Sequence, residues 1–321
     1  MDNQLIEQIE AARARTGDDA RPGVVEKIHA SDRLTARERI TLLFDKSSFI
    51  EYGALAGATT RPNDEHYADG LVAGVGLIAG QSVVAASYDS SVLAGTQSDR
   101  NHRKIAKLLY LAVEHRWPFV CFVEGAGARP DDPLPAPPIA VSPRGRFELY
   151  DGLAELNGWA PTVAVVTGNA VDGHAAIAML CDLVITSSDA TFGSADGHSR
   201  AVTDFAKTGD VDMVAKNERD AIEGARRYLS FYLTEPSSGD APPDAEHIAD
   251  IIPQNRRRPY DMRKVIASFA DADSTLELGA DWGRSMLTVL ARLGGRTVGI
   301  YANQPKSPLA GAIDTAAADK A

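Results

Sequence analysis

The chain is poor in cysteine: Cys121 and Cys181 stand far apart among its 321 residues. No metal-ligand spacing surrounds them, so the sequence points to free thiols, no bound metal and a reducing, cytoplasmic setting. A long apolar run is missing too. Nothing approaches the roughly 20 residues needed to cross a bilayer, and the N-terminal MDNQLIEQIEAARARTGDD mixes acids and bases with isolated apolar residues, unlike a secretory leader. Positive charge is in deficit, 33 Lys and Arg against 44 Asp and Glu. That balance excludes nonspecific nucleic-acid binding. An anionic small ligand remains open, because backbone amides bind anions whatever the net charge.

What is present is an ordinary globular composition, 44% apolar and 24% charged. Residues 1–45 read as helical, with Ser31 or Asp32 as the cap before LTARERITLLFD. GLVAGVGLIAG and QSVVAASYD read as two strands joined by a turn at Ala79-Gly80. Residues 98–114 form a helix capped by Ser98, apolar at Ile105, Leu108, Leu109 and Ala112. PFVCFVEGAGARP is a buried parallel strand ending in a Gly/Ala loop, followed by a loop carrying Pro130, Pro133, Pro135, Pro137, Pro138 and Pro143. Then come the helix RFELYDGLAELNG, the strand TVAVVTG, the helix DGHAAIAMLCD and the strand LVITS. Such alternation means an α/β fold with a largely parallel sheet. Residues 207–250 read as acidic and helical, ERDAIEGARRYLSFYL most strongly, with a loop around SSGDAPPDAEH.

The chain also repeats itself. GLIAGQSVVAASYDSSVLAGTQSDRNHRKIAKL resembles ARLGGRTVGIYANQPKSPLAGAIDTAAADKA, with Gly80 matching Gly295, Gly95 matching Gly311 and Lys104 matching Lys320. Two homologous domains are expected, 1–272 and the beginning of a second at 273–321. So short a second copy cannot bury a sheet, which implies either a longer protein or completion by another chain.

Two loops follow apolar strands and precede helices, the place where ligands collect in parallel sheets. They are Glu124-Gly125-Ala126-Gly127-Ala128-Arg129 and Gly168-Asn169-Ala170-Val171-Asp172-Gly173-His174-Ala175. Small side chains let a substrate reach the backbone, and amides at a helix start point outward as donors. Facing each other, the loops would supply two N–H groups to one carbonyl oxygen, an oxyanion hole. Each loop alone is equally what tight strand–helix packing requires.

At these motifs the chain resembles a known family. VTGNAVDGHAAIAMLCDLVITSSDATFGSAD is similar to a crotonase-superfamily segment. LTARERITLLFDKSSFIE, EGAGARP, NRRRPYDMRKVI and the closing GGRTVGIYANQPK…LAGAID…ADKA resemble, in order, segments of the beta-type carboxyltransferase of biotin-dependent acyl-CoA carboxylases. The resemblance implies a crotonase-like (ClpP/crotonase) sheet superhelix of ββα units, a coenzyme A thioester as substrate, and carboxybiotin on a separate carrier protein or domain. It implies a biotin carboxylase and carrier as partners, a homo- or hetero-oligomer, and no membrane. It places Ala126, Gly127 and Gly173 as the catalytic amide donors around the thioester carbonyl, and Tyr88, Gly125, Ala128, Arg129, Ala170 and His174 along the coenzyme. The acyl group would be acetyl or propionyl, and the freed biotin nitrogen would remove the α-proton, so no side chain need be the base. Two departures stand out: Ala126 replaces the first glycine of a Gly-Gly pair, and Asp172 replaces a usual glycine.

Other residues carry two readings. Asp196, after Phe192-Gly193, falls where hydratases of the superfamily carry a carboxylate, but Ala176 holds the place of its partner, so a solvated acid or cap is the plainer reading. His174 is more often a packed imidazole than a base. Tyr88-Asp89-Ser90-Ser91 with Gln97-Ser98 line a pantetheine channel or cap the next helix. Arg256-Arg257-Arg258 pair with phosphates or with an acidic neighbour. Competing functions are a crotonase-type decarboxylase, hydratase or isomerase, and a non-catalytic scaffold.

Overall fold

Three short helices open the chain in the computed structural model, which describes residues 3–57, 67–130, 148–194, 196–234, 248–255 and 257–321. They are α1 (Asn3–Ala14), α2 (Pro22–His29) and α3 (Ala36–Leu43). Neither Ser31 nor Asp32 caps the third. Thr35 does: its hydroxyl accepts the Glu38 amide while the Glu38 carboxylate accepts the Thr35 amide, a reciprocal box that satisfies two orphan donors.

The strands β1 (Ile50–Glu51), β2 (Leu71–Ile78) and β3 (Gln81–Tyr88) follow. Ala79 and Gly80 both have positive φ, 50° and 76°, as a two-residue hairpin turn needs. Helix α4 (Asp99–His115) is capped by Ser98 as expected. Next come β4 (Phe119–Gly125), α5 (Leu149–Leu156), β5 (Thr162–Val171), α6 (Gly173–Met179), β6 (Leu183–Ser187), β7 (Thr191–Gly193) and β8 (Ser199–Ala201). The β2–β3 pairing is antiparallel, and β3–β4, β4–β5 and β5–β6 are parallel. Strand β5 serves two neighbours: Val163–Val166 pair with β6, and Asn169–Val171 pair with β7. Phe119–Val123 of β4 and Val163–Val166 of β5 are apolar and fully buried, as strands covered on both faces must be.

After α7 (Val202–Ala206) and β9 (Met213–Ala215) the chain runs into α8 (Glu218–Leu233). The helical reading of 207–250 holds over Glu218–Leu233 and at Ile248–Asp250; Met213–Ala215 is a strand instead, and Thr208–Asp210 form a turn closed by the Thr208 hydroxyl on Asp210. The SSGDAPPDAEH loop, Arg256 and the prolines from Pro133 to Pro143 lie outside the described residues. The rest comprises α9 (Ile248–Ile251), α10 (Met262–Phe269), β10 (Leu276–Leu278), β11 (Met286–Leu293), β12 (Arg296–Asn303) and α11 (Thr315–Lys320).

Contacts group Met1–Val202 with Ala215–Ala225, and Thr203–Val214 with Arg226–Ala321. This grouping differs from the 272/273 boundary because Ile266 of α10 packs on Leu287 and Val289, and Arg292 donates to the Ser230 carbonyl of α8. In the second unit β10, β11 and β12 form an antiparallel sheet with β12 at its edge. The sequence repeat has a local structural counterpart. The β11–β12 turn carries Gly294 and Gly295 at φ 59° and 79°, and Asp314 caps α11 where Ser98 caps α4. Lys104 donates to the carbonyl of Leu71, the first residue of β2, and Lys320 to that of Met286, the first residue of β11.

Candidate functional site

The two small-residue loops end up side by side. Gly125 pairs with Ala170 in parallel register after a shift in the ladder. A Cβ on Gly127 (φ 82°) would stand 3.4 Å from Val171 Cγ1 and 3.5 Å from Asp172 Oδ2, so the loops abut there. Gly173 is the first residue of α6, and Asp172 caps it at φ 47°, ψ −106°. Such a conformation costs a non-glycine residue about 1–3 kcal/mol.

The amides separate the candidates. Ala126 N donates to Ala94 O at 3.1 Å, so Ala126 is not one of the two free donors expected. Its N–H is consumed in tying the loop to Ala94. The amides of Gly127 and Gly173 meet no acceptor among the described residues.

Behind the loops the main chain and Arg129 are hydrogen-bonded. Gln97 N donates to Gly127 O and Arg129 N donates to Gln97 O, each at 2.8 Å. The Arg129 guanidinium, 2% exposed, binds Asp69 at 2.6 Å and both oxygens of Thr96 at 3.2 Å. His174 is buried, its ring edge-on to Tyr88 with centroids 4.5 Å apart. A Cβ on Gly125 (φ 152°) would lie 2.6 Å from His174 Nε2. The imidazole faces the carbonyls of Val171 and Gly95 without reaching hydrogen-bond geometry, and burial, opposed by those carbonyls, pushes its pKa down to about 4. It is a neutral prop for both loops. Of the six residues expected along the coenzyme, only Ala128 is exposed; Tyr88, Gly125, Arg129, Ala170 and His174 are buried.

Four charges under the same strand ends, Arg39, Glu124 and Glu218 buried and Arg33 half-buried, went unseen in the sequence. Glu124 accepts from Arg39 at 2.8 Å and from Arg33, and Glu218 accepts from Arg39 at 2.9 Å and from Arg33 at 3.1 Å. Arg33 also donates to Thr167 O at 2.7 Å. A Cβ on Gly168 would press to 2.7 Å from Glu124 Oε2 and 2.8 Å from Arg33 Nη2, so that glycine makes room for the pair. Burial alone would raise the Glu124 carboxyl, but Arg39 and Arg33 hold it down to about 2. The network clamps the carboxyl ends of β4 and β5, where the loops begin. Arg33 and Glu218 lie 185 residues apart, and no local pattern announces such a pair.

Other candidates resolve simply. Asp196 is exposed and bound to Ser194 and to the His198 amide, a solvated turn acid. Ser98 caps α4, and Cys181 is only partly buried. Arg15, Arg21 and Arg37, with Asp89, Ser91 and Leu71, line an open pocket of about 220 Å³. There Arg21 pairs with Asp89 at 2.7 Å and Arg37 with Glu51 at 2.7 Å. Among the described residues no group of side chains could hold a metal ion, and no helix is long and apolar enough to cross a membrane.

A parallel sheet entered by an antiparallel hairpin, with two glycine-bearing loops meeting at adjacent strand ends, defines a crotonase-like α/β protein. Residues 27–321 match the carboxyl transferase domain model, and the chain belongs to that family. It is 33% identical, over 99% of its length and 62% of the relative's, to a biotin-dependent acetyl-/propionyl-coenzyme A carboxylase beta5 subunit of Mycobacterium tuberculosis. It is 32% identical to the methylmalonyl-CoA carboxyltransferase 12S subunit of Propionibacterium freudenreichii, over 99% of the chain and 64% of the relative. Among solved structures it matches a single-chain, multi-domain long-chain acyl-CoA carboxylase with TM-score 0.88 and 36% identity, covering 98% of this chain and 33% of the other. It also matches a transcarboxylase 12S hexamer with methylmalonyl-CoA bound, TM-score 0.78 and 30% identity, covering 99% and 64%. The chain thus spans a little under two thirds of these curated relatives.

Proposed function

We propose that this chain supplies the acyl-CoA half of a biotin-dependent carboxyltransferase, holding an acetyl- or propionyl-type thioester for carboxylation at its α-carbon. The observation that carries the reading is the pair of unspent amides, Gly127 and Gly173, on abutting loops. Hydrogen-bonded there, the thioester oxygen gains negative charge as the α-proton leaves, so the two donors stabilise the enolate more than the ground state. Removing one such donor typically costs about 10²–10³ in rate. The buried arginine–glutamate network and neutral His174 hold the donors in place before substrate arrives.

Carboxybiotin would supply the carboxyl group. A biotin carboxylase with its carrier, an oligomeric assembly and a cytoplasmic setting belong to the same proposal. A hydratase reading is weaker: Ala176 offers no carboxylate, and Asp196 is held in its own exposed turn.

Calorimetry with acetyl-CoA, propionyl-CoA and free CoA tests the reading. Binding of both thioesters, tighter than CoA itself, is expected. No heat at millimolar thioester would overturn it.

A further inference from the structure

Asp172 stands just before α6, where an aspartate ordinarily accepts a hydrogen bond from the first turn of the helix. Its carboxylate makes no such bond. The main chain is anchored on both sides, Asp172 N donating to Gly193 O at 3.1 Å and Asp172 O accepting from Ala176 N at 2.9 Å. Held there, the residue keeps φ 47° and ψ −106°, and backbone outliers of this kind gather at active sites and ligand clamps. The exposed carboxylate reaches the other loop instead: Oδ2 lies 3.5 Å from the position of a Cβ on Gly127. It therefore lies beside both residues whose amides meet no acceptor among the described residues. A buried, unpartnered donor marks the same place. Gln97 Nε2, in a residue 2% exposed, has no hydrogen-bond partner and lies 3.3 Å from the position of a Cβ on Gly173. The other titratable groups around the loops are engaged elsewhere. Glu124 is held by Arg33 and Arg39, Asp196 by Ser194 and the His198 amide, and the His174 ring is buried against Val171 and Gly95.

We infer that Asp172 is a catalytic base: with a thioester oxygen held by the Gly127 and Gly173 amides, its carboxylate removes a proton from the α-carbon. Oδ2 takes the proton, the C–H electron pair becomes the double bond of the enolate, and the carbonyl π pair moves onto the oxygen. One negative charge is present throughout. It sits on Asp172 before the transfer and on the enolate oxygen after it, where the two N–H groups receive it. Return of a proton from Asp172 to carbon regenerates the thioester, and the exposed carboxyl exchanges its proton with water between the two steps. The chain therefore exchanges the α-hydrogens of an acyl-CoA with solvent, with no carboxyl donor and no reactant besides water. Stability forgone at a strained residue is the common counterpart of such a role. The inference rests on the proposed function for where the thioester carbonyl sits.

The test dissolves the chain with acetyl-CoA in heavy water and follows the acetyl methyl protons by NMR. Exchange should run faster than in buffer alone, and should slow by about 10²-fold or more in Asp172→Asn, the usual contribution of a positioned base. Asparagine keeps the shape of the side chain and tolerates positive φ, so this variant should fold and still bind acetyl-CoA in calorimetry. Asp172→Gly, which relaxes the backbone, should lose exchange to the same degree. A chain that binds acetyl-CoA without exchanging its methyl protons would overturn the inference. So would undiminished exchange in a folded Asp172→Asn or Asp172→Gly chain. Heat of binding without exchange leaves the proposed acyl-CoA site standing, whereas no heat at millimolar thioester removes the site and the inference with it. The two failures are thereby told apart.

Discussion

Gln97 joins the two loops through Gly173. Its side-chain amide lies so close to that glycine that any Cβ there would collide with Oε1, while its main chain bonds Gly127 O and Arg129 N at 2.8 Å each. The side chain is 2% exposed, so it has little room to withdraw. Gly173→Ala should therefore destabilise the fold by about 1–3 kcal/mol, the usual cost of overpacking. In a Gln97→Ala background most of that cost should vanish. A double-mutant cycle by urea unfolding checks this, and additive effects of the two changes would refute the contact.

Asp172 should be replaceable with profit. At φ 47° and ψ −106° it holds a conformation that glycine reaches readily and an L side chain resists. Asp172→Gly should raise stability by about 1 kcal/mol in urea unfolding. A lower midpoint would show that the carboxylate's own interactions outweigh the strain.

Glu124 should govern an acid limb. Its folded pKa is about 2 against an ordinary 4.5. The depressed carboxylate contributes stability that is present above about pH 4.5 and is lost as pH falls toward 2. Glu124→Gln should cost about 3–5 kcal/mol near neutrality by leaving Arg33 and Arg39 to share the single carboxylate of Glu218. The difference from wild type should narrow on acidification. A gap that stays constant from pH 7 to pH 3 would contradict the pairing.

His174 acts in a higher window with the same sign. Burial lowers its pKa from 6.5 to about 4, as it does for His102. Between those values the unfolded chain takes up protons that the folded chain refuses, so stability falls as pH drops below 6.5. One such group contributes up to about 1.4 kcal/mol per pH unit. His174→Gln should make the stability–pH curve shallower by about one proton between pH 6 and pH 4.5. An unchanged slope would mean that the ring is charged in the fold.

Much of this was legible before any coordinates. The first hairpin announces itself through β-branched runs broken at Ala79-Gly80 and the second through its likeness to the first, and Ser98 caps the helix it is expected to cap. The two loops were found through their glycines. Which amide was free was not, because a backbone donor leaves no trace in residue type; only Ala94 O, 3.1 Å away, shows that Ala126 N is taken. The two departures from the family pattern also looked alike in sequence and differ in the fold. Ala126 has no positive φ and costs nothing, whereas Asp172 does. The Arg33, Arg39, Glu124 and Glu218 network was invisible because its partners meet only through tertiary packing.

The central claim is that the amides of Gly127 and Gly173 hold a thioester carbonyl, and the vibration of that carbonyl reports on it directly. The measurement is isotope-edited infrared absorption of carbonyl-labelled acetyl-CoA bound to the chain, repeated with the Gly173 N–H replaced by an ester oxygen. Proline is unsuitable for removing this donor, because the residue before a proline is driven to extended backbone and Asp172 is not extended. The expected result is a carbonyl stretch shifted to lower frequency on binding, with a substantial part of the shift lost in the ester variant. A bound carbonyl absorbing at its solution frequency, or a shift indifferent to the Gly173 N–H, would contradict the assignment of this site.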